Sequence, residues 1–469
     1  MIVRNPLLLL LAALIPVPGI VSAAPPYLAN GAKTGEADAR SAIVWTRLTA
    51  KPKADFARLP IFTQGLKKND PDEGAMPVDV LPGAEGEVRV TWWLAGNDEG
   101  SKHSGDWVAV TAENDFIHQF HLDGLQPATR YAYEIEARAP GAVEVSNQIT
   151  GHFQTAPLAE QAAPVRFIVT TCQAIRSVDS GEQGHLAYRQ MLKFKPDFFV
   201  HTGDILYYDK APLAKSVPEA RAKWNLMFAY ESNRDFHQQV TSYFMKDDHD
   251  TLKNDCWPGQ SYGDLTFQQG LEIFREQVPM GEKTYRTYRW GRDVQIWMTE
   301  NRDFRSPNNM QDGPEKTILG EEQKLWLKKS LRESDATYKF VISPGPLVGP
   351  DKGGKNDNHA NKGFHNEGQE LRDFLSGLPN TYVICGDRHW QYLSKDPQTG
   401  LLELGCGPIN DEHNYGGSPG KIPEYHEFFS KQGGFLGITV EGGKARAEWY
   451  GTGDPSADPP VRFTRALGE

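Results

Sequence analysis

The pattern of apolar residues changes character once along this chain, at a short Ala- and Pro-rich segment near residues 156–164. Before that segment, short runs alternate apolar and polar residues and are rich in Val, Thr, Tyr and Trp, which is typical of β-strands. After it, fully apolar runs that suit buried strands alternate with stretches of helical period. We therefore predict an all-β domain over residues 24–157 and an α/β domain over residues 164–455, with a layered β-sheet core and flanking helices.

The first domain is predicted to be a β-sandwich, because its strand-like runs are short and are separated by turn residues. The segment LDGLQPATRYAYEIEA, at residues 122–137, resembles the late strands of a fibronectin type III domain. Residues 51–87 are rich in Pro and Asp and follow neither the helical nor the strand period. We interpret them as an insertion that forms a surface loop or a lid.

The N-terminus has the pattern of a secretory signal peptide over residues 1–23. Arg4 supplies the positive charge, residues 7–13 the apolar stretch, and residues 21–23 a small-residue cleavage site. A membrane anchor is the alternative, but the apolar run is much shorter than the roughly 20 residues that span a bilayer. We therefore expect an exported protein, periplasmic or extracellular, without a stable membrane anchor.

Charge and cysteine content limit the partners and the covalent links. The net charge of -11 argues against an extended nucleic-acid surface, which normally requires a basic balance. Separately, we expect a monomer. An exported chain normally pairs its cysteines, which here are Cys172, Cys256, Cys385 and Cys406. Cys385 and Cys406 end two apolar runs, so a disulfide and plain burial are both open there.

The second domain has a regular succession of predicted elements. Strands are predicted at residues 166–172, 197–206, 338–345 and 381–389, and hairpins at residues 284–300 and 435–451. Helices are predicted at residues 182–195, 236–245, 320–334 and 366–378. Residues 454–469 are interpreted as a tail.

Residue types that can bind metals follow three of the predicted strands. Cys172 closes the first strand, Asp204 the second, and Asp387 and His389 the last. In α/β sheets, ligands gather where strands end. One acidic residue after a strand is usually only a cap, but several strand ends that all carry ligands could converge on one edge of the sheet.

The segment KDDHDTLKND, at residues 246–255, concentrates carboxylates around a histidine. A solvated acidic turn is the simpler interpretation. Against it, clustered carboxylates repel one another unless a cation neutralises them. We therefore predict a metal site here, with His249 beside it as an acid/base group. His185 and His201 are expected to be structural or to support the ligands from behind.

Four motifs together carry a family resemblance: Thr171-Cys172-Gln173, Gly203-Asp204 with Tyr207, Asp247-Asp248-His249-Asp250 with Asn254-Asp255, and Gly386-Asp387-Arg388-His389. In this order they resemble the alkaline phosphatase D (PhoD-like) branch of the calcineurin-type metallophosphoesterases. The resemblance implies two metals, iron with calcium, bridged by Asp204. It places Cys172, Tyr207 and His389 on the iron, and Asp248, Asn254 and, more weakly, Asp387 toward the second cation. A thiolate and a phenolate suit Fe(III), whereas oxygen ligands suit Ca²⁺; other divalent metals are open.

The same resemblance implies a secreted phosphoesterase in which a metal-bound hydroxide attacks the phosphate ester. His249 would stabilise the transition state or protonate the leaving group, and Arg302, Arg305 and Arg388 are candidates to bind phosphate oxygens. Structural salt bridges are the alternative role for these arginines. The chain departs from the family pattern at residues 299–305, where Glu300 replaces an Asp, and at residues 359–364.

Two other functions stay open from the sequence. The same site could act as a phosphodiesterase, including one of phospholipase D type, because the sequence does not show whether the site accepts one ester substituent or two. Alternatively, the chain could be a non-catalytic cell-surface binding protein with a degenerate site. The predicted ligands are all present, which favours the enzyme.

Overall fold

The computed structural model describes residues 24–59, 74–97, 100, 102–414 and 416–468. The predicted signal peptide and residues 60–73 of the predicted insertion lie outside these described residues. None of the helices in the described ranges is long and apolar enough to cross a membrane.

Short strands and helices alternate along the chain. The strands of the first domain are β1 (Ala32–Gly35), β2 (Ala42–Arg47), β3 (Gly86–Leu94), β4 (His103–Ser104), β5 (Val108–Val110), β6 (Ile117–Leu122), β7 (Arg130–Arg138) and β8 (Asn147–Gln154). Those of the second are β9 (Val165–Thr170), β10 (Phe198–His201), β11 (Thr241–Phe244), β12 (Ser261–Tyr262), β13 (Leu265–Thr266), β14 (Arg286–Trp290), β15 (Val294–Met298), β16 (Tyr338–Ser343), β17 (Thr381–Cys385), β18 (Gln391–Lys395), β19 (Leu402–Gly405), β20 (His426–Ser430), β21 (Gly434–Glu441), β22 (Lys444–Gly451) and β23 (Val461–Leu467). The helices are α1 (Ala187–Phe194), α2 (Val217–Met227), α3 (Glu231–His237), α4 (Asp248–Thr251), α5 (Phe267–Gln277), α6 (Gly320–Glu333) and α7 (His365–Ser376).

The N-terminal part is an all-β sandwich. One antiparallel sheet has the order β1-β2-β6, and the other has the order β4-β3-β7-β8, with β5 also paired to β3. Val44 and Phe120 from the first sheet pack in one core with Val88 and Ile135 from the second. The two sheets therefore share one core, while β1 and β2 are buried on both faces, and the predicted sandwich is confirmed.

Two larger sheets face each other in the second domain. The six-stranded sheet has the order β11-β10-β9-β21-β22-β23, and the seven-stranded sheet has the order β14-β15-β16-β17-β19-β18-β20. Aromatic rings fill the space between them: Phe167 of the first sheet contacts Phe340 of the second edge to face, with ring centroids 5.3 Å apart. The rings of Phe198 and Trp290 also meet across the two sheets, tilted by 31° with centroids 4.6 Å apart.

Helices cover the outer faces of both sheets. Apolar side chains of α1 and α3 pack on the six-stranded sheet, and those of α6 and α7 pack on the seven-stranded sheet. Strands β9, β10 and β11 run parallel, as do β15, β16, β17 and β19. The result is the predicted α/β fold, with a layered sheet core between helices.

Two predicted elements are wrong. Residues 236–245 are predicted as a helix, but only the end of α3 lies there, and Thr241–Phe244 forms β11. These residues are buried and pair with β10, so sheet pairing decides their conformation. The predicted tail likewise contains β23, which pairs with β22 and completes the six-stranded sheet.

The described flanks of the predicted insertion are anchored to the domain by buried apolar side chains. Phe56, Leu59, Met76 and Val80 are buried in one apolar cluster with residues of α2 and α5. All four cysteines are buried and free, so neither Cys385 nor Cys406 forms a disulfide.

Candidate metal centre

The parallel strands of the six-stranded sheet bring Cys172, Asp204 and Asp248 to one place beyond their carboxyl ends. Cys172 and Asp204 have φ angles of 48° and 54°, in the left-handed region that non-glycine residues rarely adopt. Gly203 lets the loops approach closely, because a Cβ there would lie 2.7 Å from the backbone nitrogen of Asp247. The turn after β10 therefore lies directly against the Asp-rich segment.

The seven-stranded sheet contributes Asp387 and His389, which follow β17. The backbone nitrogen of Asp387 donates a hydrogen bond to Thr171 Oγ1, 3.1 Å away, at the end of β9. This bond joins the carboxyl ends of the two sheets. The predicted ligands of both sheets thus lie at one shared edge.

Three groups of ligand atoms overlap at this edge. The first is Cys172, Asp204 and His389; the second is Asp204, Asp248 and His249; the third is Asp204, Asp247 and Asp387. Within each group, the ligand atoms lie within 4.8 Å of one another. Asp204 belongs to all three groups.

The carboxylates of this centre fit a cation. Oδ1 of Asp204, Oδ2 of Asp247 and Oδ1 of Asp248 are buried and have no hydrogen-bond partner among the described residues. Burial, followed by the charge of Asp248, raises the pKa of Asp204 to about 8. Buried carboxylate oxygens without partners are costly, and a bound cation would satisfy them. The donors therefore suit at least one hard metal ion.

The thiol and phenol side of the centre is also assembled. Oδ2 of Asp204 accepts hydrogen bonds from Cys172 Sγ, at 3.4 Å, and from the hydroxyl of Tyr207, at 3.1 Å. The Tyr207 hydroxyl lies 3.4 Å from His389 Nε2 and 2.9 Å from His413 Nε2. His413 Nδ1 in turn lies 2.9 Å from Ser177 Oγ. His413 therefore supports Tyr207 from behind, a role that the sequence does not reveal.

His249 is held beside the carboxylates by an acidic partner. Its Nδ1 lies 2.6 Å from Asp209 Oδ1, and the other oxygen of Asp209 accepts a hydrogen bond from the backbone of Asn254. Burial opposes the charged imidazole, but the charges of Asp248, Asp209 and Asp204 outweigh it and raise the pKa of His249 to about 10. These carboxylates therefore favour the charged imidazole, and the short contact with Asp209 fixes the orientation of the ring.

The three predicted phosphate-binding arginines are buried and engaged. Arg302 Nε donates to Asp247 Oδ1 at 2.5 Å, and its guanidinium also lies 3.8 Å from Asp248. Arg305 donates to Asn308 and to the backbone carbonyl of Asp357. Arg388 forms ion pairs with Asp351, at 2.6 Å, and with Asp387. These contacts favour a positioning role for Arg302, whereas Nε of Arg305 and Nε of Arg388 have no hydrogen-bond partner among the described residues.

Glu300 takes part in a buried ion-pair cluster directly behind the Asp-rich segment. Lys246 Nζ, fully buried, lies 2.7 Å from Glu300 Oε1 and 2.6 Å from Asp303 Oδ1. The same Glu300 oxygen accepts a hydrogen bond from the backbone of Arg302. Glu300, which departs from the family pattern, thus binds the backbone of Arg302, and the side chain of Arg302 in turn binds Asp247.

Replacing Lys246 with methionine is expected to lower the free energy of unfolding by about 3 kcal/mol or more, because it leaves two buried carboxylates without their cation. Chemical denaturation of the variant and the wild type measures this difference. As a control, Lys283→Met removes a lysine whose ion pair with Glu322 is exposed, and should change stability little. Equal stability of the Lys246 variant and the wild type would contradict a buried ionic cluster.

The structure separates the predicted site residues into two sets. Cys172, Asp204, Tyr207, Asp248, His249, Asp387 and His389 come together, whereas the side chain of Asn254 is exposed. Three residues at the centre are not predicted: Asp247, Asp209 and His413. Asp247 lies within the motif quoted for Asp248, and Asp209 follows Tyr207 by two residues, so their position was the available signal. His413 lies far along the chain in a short 3-10 helix, and no spacing points to it.

Comparison with known proteins agrees with this architecture. A family model described as PhoD-like phosphatase matches residues 167–432, and one described as PhoD-like phosphatase, N-terminal domain, matches residues 17–157. Alkaline phosphatase D of Bacillus subtilis (strain 168) is 22% identical over 422 residues, which cover 78% of this chain and 64% of that protein. The chain therefore spans slightly less than two thirds of this relative.

Two solved structures share the fold. A structure of PhoD has a TM-score of 0.72 at 17% identity and covers 96% of this chain and 92% of its own. Purple acid phosphatase PPD1 from yellow lupin (Lupinus luteus) seeds has a TM-score of 0.61 at 13% identity, with 93% and 73% covered. At such identities the likeness shows the fold alone, which is the predicted metallophosphoesterase core behind a β-sandwich.

Proposed function

The chain belongs to the PhoD-like phosphatase family, and from this premise we propose that it is a metal-dependent phosphatase that hydrolyses phosphate esters at a dinuclear centre. The observation that carries the proposal is the overlap of three ligand groups on Asp204, with buried carboxylate oxygens that lack hydrogen-bond partners. A carboxylate that two cations share is a common feature of dinuclear sites. Export through the signal-peptide pattern of residues 1–23 stays a prediction.

The two proposed cations would have different ligands. Cys172, Tyr207 and His389 would hold one cation, Asp248 and Asp247 the other, and Asp204 both. When bound, the two cations would supply positive charge to the phosphoryl oxygens and acidify a water molecule. His249, held by Asp209, would give a proton to the leaving alkoxide. Arg302 holds Asp247 in position through its 2.5 Å hydrogen bond.

The donor set also supports a proposal for the metals. A thiolate and a phenolate on one side favour ferric iron, and the carboxylates on the other side favour a hard cation such as Ca²⁺. Tyr207 and Cys172 both lie within hydrogen-bonding distance of the same Asp204 oxygen. We therefore assign the iron to the Cys172 side of Asp204.

Protein purified without chelators is expected to be coloured, because phenolate or thiolate on ferric iron gives a visible charge-transfer band. Elemental analysis should find iron with a second metal, and phenyl phosphate hydrolysis should stop after dialysis against a chelator and return when metals are added. Tyr207→Phe should shift or remove the band. Tyr208→Phe is the control, since the Tyr208 hydroxyl accepts a hydrogen bond from Trp224 and faces no ligand.

Two outcomes would count against these assignments. A colourless protein with full activity and only zinc or magnesium would contradict the iron assignment while leaving the phosphatase in place. Full activity after complete removal of metals would contradict the metal-dependent mechanism itself.

A further inference from the structure

The hydroxyl of Thr171 contacts three of the loops that carry the predicted ligands. Thr171 directly follows β9, and its side chain is fully buried. Its Oγ1 accepts the hydrogen bond from the backbone nitrogen of Asp387 at 3.1 Å, and it lies 3.3 Å from both the carbonyl oxygen of Gly203 and the sulfur of Cys172. One hydroxyl therefore joins the loop after β9 to the loops after β10 and β17.

These contacts use the hydroxyl both as an acceptor and as a donor. A threonine hydroxyl has one proton to donate and two lone pairs that accept. The backbone N–H of Asp387 can only donate, so it uses a lone pair of Oγ1. The proton of the hydroxyl is then left for the carbonyl of Gly203 or the sulfur of Cys172. An apolar side chain at residue 171 would remove all of these hydrogen bonds at once.

Backbone hydrogen bonds already fix the loops after β9 and β10 to each other. The nitrogen of Cys172 donates to the carbonyl of Gly203 at 3.2 Å, and the nitrogen of Gln173 donates to the carbonyl of Asp204 at 2.9 Å. The loop after β17 belongs to the other sheet, and Asp387 reaches this pair of loops through the side chain of Thr171.

The chain before Asp387 also packs tightly against Thr171. A Cβ on Gly386 would lie 2.7 Å from Thr171 Oγ1 and 2.2 Å from Thr202 Oγ1, which is closer than Cβ atoms come to other atoms in proteins. Glycine at residue 386 therefore permits the approach. The loop after β17 is held at the end of β9 by close contact as well as by a hydrogen bond.

From this arrangement we propose that Thr171 is a positioning residue, which sets the distance between the ligands that follow the two sheets. Its hydroxyl holds Asp387, and with it His389, at a fixed place relative to Asp204. The proposal rests on the proposed metal centre and deepens it, because Thr171 acts through the ligands and contacts neither cation nor substrate. Residues that orient metal ligands in this way typically change metal affinity about 10- to 100-fold when they are replaced.

The test removes the hydroxyl and keeps the shape of the side chain. Thr171→Val should bind Co²⁺ about 10- to 100-fold more weakly than the wild type when the metal-free proteins are titrated in a calorimeter. Thr171→Ser should restore most of the affinity. In the metal-free valine variant, the amide of Asp387 should also exchange its hydrogen faster than in the wild type, which mass spectrometry of the peptide that contains it measures.

The matched control is Thr241→Val, at the opposite end of the six-stranded sheet. Thr241 is also buried, and its hydroxyl donates to the carbonyl of Gln154 at 3.0 Å and accepts from the nitrogen of Gln154 at 3.1 Å. This variant should lose thermal stability as Thr171→Val does and keep its affinity for Co²⁺. Equal losses of affinity in the two variants, or full affinity in Thr171→Val, would overturn the proposal.

Two further outcomes are separable. If Thr171→Val does not fold, Thr171→Ala takes its place, because alanine also lacks the hydroxyl and needs less space. A wild type that binds Co²⁺ but hydrolyses no phosphate ester contradicts the phosphatase, and the titrations still decide the role of Thr171. A wild type that binds no metal overturns the metal centre and this proposal together.

Discussion

Asp204→Asn is expected to reduce kcat/KM for phenyl phosphate by roughly 10³-fold or more and to remove most of the bound metal, because one carboxylate joins all three ligand groups. An amide carries no negative charge and offers a single acceptor oxygen, so it cannot bridge two cations as a carboxylate does. Steady-state kinetics and elemental analysis on the same preparation measure both effects. Near neutral pH the metal-free variant should also unfold at a higher temperature than the metal-free wild type, because burial and the charge of Asp248 oppose ionisation of Asp204, whereas asparagine has no proton to take up on folding.

The matched control is Asp197→Asn, at the opposite end of the same strand. Asp197 precedes β10, and its carboxylate accepts a hydrogen bond from the backbone of Arg166, which asparagine can also accept. This variant should keep its metals and its activity. If Asp204→Asn kept both metals and full activity, the bridging role of Asp204 would be wrong.

His249→Ala is expected to lower kcat by about 10²- to 10⁴-fold while the metals are retained, because the imidazole acts as a proton donor in the proposed mechanism. The loss should be largest for phenyl phosphate and smallest for 2,4-dinitrophenyl phosphate, whose leaving group needs no proton. Asp209→Asn, which removes the charge that holds His249 Nδ1, should give a smaller loss with the same dependence on the leaving group. Kinetics with a series of aryl phosphates measure this dependence.

Metal analysis separates this role from ligation, because His249 also lies in a group with Asp204 and Asp248. Loss of one metal in His249→Ala, with equal rate losses for every leaving group, would identify His249 as a ligand. An unchanged rate would remove it from the mechanism altogether.

Much of the fold follows from local pattern. The Val-, Trp- and Tyr-rich runs Ala42–Arg47 and Arg130–Arg138 predict strands of a sandwich, and the structure has them. Thr241–Phe244 is predicted as part of a helix, and only the pairing with β10 makes it a strand. The pairing of β23 with β22 likewise depends on tertiary structure. The Pro- and Asp-rich residues before this edge strand made the segment look like an unstructured tail.

The site residues could be predicted only where a residue type that binds metals directly follows a predicted strand. Cys172, Asp204 and His389 each follow an apolar run, so their place at the sheet edge was foreseeable. The burial of Arg302 against Asp247 was not, because an arginine after a strand looks the same whether it binds substrate or a neighbouring carboxylate. His413 gives no sequence signal, since its contact with Tyr207 joins residues that are distant in the chain.

The aromatic contacts between the two sheets have a bearing on catalysis as well as on folding. Cys172, Asp204 and Asp248 stand on one sheet and Asp387 and His389 on the other, so the thickness of the layer around Phe167 and Phe340 sets the width of the metal centre. Metal–ligand distances tolerate only about 0.2 Å, whereas a strand that slips by one residue moves about 3.3 Å. The aromatic core therefore sets the separation of the two groups of ligands. A cavity made at Phe340 should weaken metal binding, although Phe340 is distant from every ligand.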